Sequence, residues 1–106
     1  MKRKYAVVYE QTPNNYGAYV PDLPGCISTG ASWYEMQDNI REAIQFHIEG
    51  LQENGNPVPD PRMSIGDAMT FHSGVLGEHG GAAPQLETTV AMVEIEVTPS
   101  RTAGAR

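Results

Sequence analysis

Cysteine is almost missing from this chain of 106 residues: Cys26 stands alone. One thiol cannot close an internal disulfide, so a disulfide-stapled secreted scaffold is excluded and a reducing compartment is favoured. Basic residues are scarce as well, 7 Lys and Arg against 13 Asp and Glu, for a formal charge of -6. Gripping a phosphate backbone needs a basic footprint, so direct nucleic-acid binding is not expected. No stretch approaches the ~18 apolar residues of a membrane span. The apolar run after Met1-Lys2-Arg3-Lys4 breaks at Glu10 and Gln11, too soon for a signal peptide. None of the 11 glycines falls into a G-x-G-x-x-G or Walker spacing, which leaves nucleotide binding without support. Internal repeats and heptads are lacking too. The expectation is a cytoplasmic protein with no membrane contact and no cofactor.

Hydrophobic residues make up 40% of the chain, enough for one small core. Chains below ~150 residues bury a smaller share of their surface, so help from a partner chain or a second copy is expected. Tyr5 to Tyr9 is β-branched and aromatic and runs into Thr12-Pro13-Asn14-Asn15, a strand followed by a turn. Tyr16 to Val20 reads as the returning strand, stopped by Pro21-Asp22-Leu23-Pro24-Gly25; Cys26 to Gly30 reads as a third. Ser32-Trp33-Tyr34-Glu35 has capping-box spacing, with Glu35 expected to reach back to the Ser32 amide. Trp33, Met36, Ile40, Ala43, Ile44, Ile48 and Leu51 then form one apolar stripe of a helix that stops at Asn54-Gly55. Residues 55–87 read as a long Gly- and Pro-rich connection with at most a helical turn near Asp67–Phe71. Thr88 to Val97 alternates as a last strand, and 98–106 reads as a frayed tail.

The order β-β-β-α-β predicts a single α+β domain over 1–97: an antiparallel sheet with one main helix on one face. The other face, expected to carry Tyr5, Tyr9 and Tyr19, would then be an association surface. Gly25, Ser32, Glu35 and Gly55 are expected to be structural, in a turn, a cap and a helix stop. Catalytic residues do not emerge. Two-metal nuclease chemistry needs converging carboxylates, whereas Glu10 ends its strand, Asp22 sits in a turn and Glu35 serves a cap. Cys26 has no local motif tying it to His47, His72 or His79, and their spacing matches no metal-ligand pattern. Cys26 is expected to be a small buried thiol, and His47 a boundary residue of the stripe. Trp33 and Tyr34 are candidate partner anchors, Trp33 equally a core residue.

Tyr16-Gly17-Ala18-Tyr19-Val20-Pro21-Asp22-Leu23-Pro24-Gly25-Cys26 resembles the signature of HicB-type antitoxins. Gly30-Ala31-Ser32-x-x-Glu35 resembles the family's helix entry, Asn39 to Ile44 its helix core, and Pro57-Val58-Pro59-Asp60-Pro61 its post-helix segment. The resemblance implies a partial ribonuclease H-like fold without a catalytic set. It implies a non-enzymatic function, neutralising a small, basic, RNA-cleaving toxin of HicA type by direct contact that masks the toxin's catalytic histidine. The residues expected to meet that partner are Tyr5, Tyr9, Tyr19, Pro21, Asp22, Leu23, Pro24 and Trp33, and a homo-oligomer (dimer or tetramer) would use the same surface. The chain departs from the family pattern in three ways. No C-terminal DNA-binding module is expected, the Arg62–Glu87 connection is long, and Ala31 replaces an acid beside the helix start. Two other readings are an orphan homo-oligomer with a small ligand under that connection, and a residual metal-dependent nuclease.

Overall fold

A computed structural model describes residues 2–78 and 87–97. Its elements run β1 (Lys2–Gln11), β2 (Tyr16–Tyr19), β3 (Ile27–Gly30), α1 (Trp33–Glu53), α2 (Ile65–Glu78) and β4 (Glu87–Glu96). The fold is a small α+β domain: four antiparallel strands in the order β3-β2-β1-β4, with two helices. Central β1 pairs along its whole length with β4, from Lys2 opposite Glu96 to Gln11 opposite Glu87. It meets β2 only through Val8 to Gln11.

Residue alternation along β1 decides what lies on each face. Tyr5, Val7 and Tyr9 join Ala18, Val93, Ile95 and Val97 on one face, where Met36, Ile40, Ile44 and Ile48 of α1 cover them. Each buried Val, Ile or Met among them contributes roughly 1.5–3 kcal/mol. Ala6 and Val8 face the other way, under Ala68 of α2, with Tyr19, Met63 and Val90 around them. The expected set of tyrosines is therefore divided. Tyr5 and Tyr9 belong to the α1 side and only Tyr19 to the other, because Tyr19 stands opposite Val8, an even-numbered position of β1.

The second helix also corrects the expected β-β-β-α-β order. It extends from Ile65 to Glu78, well beyond one turn near Asp67–Phe71. Its start is a reciprocal cap: the Ser64 amide donates to Asp67 Oδ2 and the Asp67 amide to Ser64 Oγ, both at 3.1 Å. The long connection thus supplies a helix that sets Ala68 and His72 against the face that α1 leaves open.

At the start of α1, Ser32 Oγ accepts from the Glu35 amide at 3.2 Å. Glu35 Oε1 accepts from the Ala31 amide at 3.3 Å, one residue earlier than the Ser32 amide expected. At the other end, Gly55 takes φ 72° while its amide donates to the Gln52 carbonyl and that of Asn56 to Leu51. This pair of bonds closes a Schellman stop, which glycine permits without strain. The chain then crosses to the other face. Tyr5 Oη donates to the Pro59 carbonyl at 2.6 Å, and Asp22 Oδ2 accepts from the Arg62 and Met63 amides at 2.8 and 3.0 Å. The expected tail, 98–106, lies outside the described residues.

Candidate functional site

Capping by Ser32 places Trp33 in the first turn of α1, over the far ends of β1 and β2. There it meets two tyrosines. The Tyr9 and Trp33 ring centroids lie 4.9 Å apart with their planes at 58°, and those of Tyr16 and Trp33 lie 6.1 Å apart at 61°. Gln11 and Glu87, opposite each other in the sheet, share this face with Tyr9 because all three occupy odd-numbered positions. Together with Glu10 and Thr89 these residues line a cavity of about 170 Å³. Glu87 shares the Tyr9 face, while the side chain of Glu10 alternates to the other, and among the described residues no Lys or Arg lines the cavity. Tyr9 is buried, which raises its pKa, an effect opposed by the Arg41 charge. Arg41 belongs to an adjoining groove of about 280 Å³ that shares Tyr9 and Trp33, and its guanidinium donates to the Glu94 carbonyl at 2.7 Å.

A second surface lies on the α2 side. Tyr19 Oη and His72 Nδ1 are 2.7 Å apart, and the Tyr19 ring lies 6.3 Å from that of Phe71. Burial, aided by the negative charge of Glu10, pushes the Tyr19 phenol up to about 12. Around this lock sit exposed apolar side chains: Ile27 (70% exposed), Met69 (57%), Ile65, Phe71 and Met92.

The residues expected to meet a partner are not gathered in one place. Tyr5 and Leu23 are wholly buried and offer a partner no surface in this fold. Tyr9 and Trp33 belong to the aromatic cavity, and Tyr19 to the opposite face. Pro21 and Asp22 are half-buried and Pro24 exposed in the β2–β3 turn, where Gly25 has φ 87°. Asp22 is committed to the Arg62 and Met63 amides. Cys26 is buried in the α1-side core, and burial raises its thiol to about 11. His72 is on the far side of the sheet from it, while His79 lies outside the described residues. Among the described residues, no three His, Cys, Asp or Glu side chains converge as metal ligands. No helix among them is long and apolar enough to cross a membrane. Sequence reasoning missed Tyr16 and Glu87, which join the cavity through strand pairing alone, and His72, which it left in a loop.

The family model of the HicB-like antitoxin of bacterial toxin–antitoxin systems matches residues 5–103. The chain belongs to this family. The HicB-like family is one of antitoxins. Relatives include an uncharacterised 14.9 kDa protein from the rep–hol intergenic region of Haemophilus phage HP1, 42% identical over 52% of this chain. A UPF0150 protein of Helicobacter pylori is 44% identical over 42% of the chain. The matched stretches span 41% and 62% of those relatives' own lengths. Among solved structures, a chain of the HicA3 and HicB3 toxin–antitoxin complex superposes with a TM-score of 0.60 at 25% identity, covering 91% of this chain and 99% of that one. The N-terminal domain of Burkholderia pseudomallei antitoxin HicB gives 0.61 at 26% identity, covering 89% and 99%.

Proposed function

We propose that this HicB-like chain is the antitoxin of a two-protein system, and that it binds and neutralises a small basic RNA-cleaving toxin of HicA type by protein–protein contact. The observation that carries the reading is the family match over residues 5–103. Structural likeness to a chain of a toxin–antitoxin complex supports it. A charge of -6 also supports it, since an acidic surface speeds and selects encounter with a basic partner. The protein acts without catalysis, in the cytoplasm, through a partial ribonuclease H-like fold. The exposed apolar set around Ile27, Met69 and Phe71 favours a homo-oligomer, dimer or tetramer, alongside the toxin complex.

The test is co-expression with a HicA-type toxin, followed by size-exclusion chromatography with light scattering and an RNA-cleavage assay. A stable complex that suppresses the toxin's cleavage is the expected outcome. A homo-oligomer that ignores the toxin would favour the orphan domain instead. RNA cleavage by the purified protein with magnesium or manganese, lost in Asp22→Asn, would point to the nuclease reading.

A further inference from the structure

We infer that the cavity framed by Tyr9, Tyr16, Trp33 and Glu87 is a receptor for one basic side chain, an arginine or lysine projecting from the toxin. This deepens the antitoxin reading and rests on it. The rings of Tyr9 and Tyr16 meet that of Trp33 at 58° and 61°, so that aromatic surfaces enclose a space rather than stacking shut. Aromatic faces carry negative electrostatic potential, and a desolvated cation above them gains more than an exposed one. The wall adds Glu87, on the same face as Tyr9, and no Lys or Arg lines it among the described residues. At about 170 Å³ the space accepts a guanidinium or ammonium head with its first methylenes. Arg41, the nearby cation, lines the adjoining groove and donates to the Glu94 carbonyl. Trp33 sits in the first turn of a helix built on the rigid α1 stripe, so the cavity is formed before a ligand arrives.

Trp33 is the only tryptophan, so its fluorescence reports directly on the cavity. The probe is the peptide acetyl-Gly-Arg-Gly-amide, compared with the same peptide carrying citrulline, the neutral isostere of arginine. A saturable change with the arginine peptide is expected, with the citrulline peptide about fivefold weaker or more. Glu87→Gln should weaken binding and Glu87→Lys abolish it, each with unchanged circular dichroism. Equal responses to the two peptides, or an unaffected Glu87→Lys protein, would overturn the inference. Glu87→Lys is then tested in the toxin complex. An undiminished complex with this variant would overturn the cation receptor and leave the antitoxin reading intact. Arginine-peptide binding without any toxin complex would do the reverse. Filling of the cavity by Lys2 or Arg3 of a second copy would appear as a concentration-dependent rise in mass that Glu87→Lys abolishes, and would also overturn it.

Discussion

Gly30 shows how little space separates the last residue of β3 from the start of α1. A Cβ there would lie 2.7 Å from the Met36 amide nitrogen and 2.9 Å from its Cα, and backbone cannot swing aside as a flexible side chain can. Gly30→Ala is expected to cost about 1–3 kcal/mol, read as a lower urea midpoint at constant slope. Asp22 is a comparable single-residue device. Its carboxylate holds two backbone amides of the post-helix segment, and Asp22→Ala leaves both without it. A loss of about 1–3 kcal/mol follows, with Asp22→Asn partly restoring it through its remaining oxygen. If Asp22→Ala unfolds at the parent midpoint, the tether contributes nothing. Cys26 sets an alkaline limit. Its thiol ionises near 9 when unfolded and at about 11 in the fold, so its contribution is complete below pH 9 and is lost as pH rises to 11. Thermal melts across that range should fall less steeply for Cys26→Ala than for the parent protein.

At the scale of elements, the two helices differ in what holds them. α1 has a cap, a stop and four fully buried apolar residues in register. α2 contains Gly66, Gly74 and Gly77 within 14 residues, which lowers its intrinsic helicity. Among the described residues, Ala68 packs against Ala6 and Val8, the Phe71 ring meets that of Tyr19, and Tyr19 bonds His72. Tyr19→Phe removes that bond and keeps the ring. Amide hydrogen exchange in α2 should then quicken several-fold while α1 keeps its protection. Equal protection of α2 in both proteins would show that this bond contributes nothing to its docking.

For the whole molecule, the relevant property is charge. With a net charge of -6, association with a basic toxin should be steered electrostatically. Raising ionic strength is expected to slow the association rate several-fold and change dissociation far less, measurable by stopped-flow fluorescence of Trp33. A salt-independent association rate would place the recognition in shape alone. The exposed apolar side chains of the α2 face contribute little to such steering, so Ile27→Ser, which leaves the net charge unchanged, should alter oligomer mass rather than the salt response.

The sequence by itself determined the elements whose signals are local. Ser32, the stripe from Met36 to Ile48 and Gly55 specify α1 from start to stop, because caps, helical spacing and a left-handed residue act within a few positions. The alternation of Val93, Ile95 and Val97 with Glu94 and Glu96 likewise marked the buried face of β4. The Ser64–Asp67 cap is equally local, but the glycines and prolines around it lower helix propensity and leave its signal weak. Only the tertiary structure decided which face each tyrosine joined, since pairing Val8 with Tyr19 rather than with its neighbour reverses every side chain of β2. It alone brought Glu87 to Tyr9, Tyr16 and Trp33, because that meeting requires β4 to close on β1 after both helices have crossed the sheet. Local spacing carries no record of such a meeting; strand register and the packing of distant elements create it.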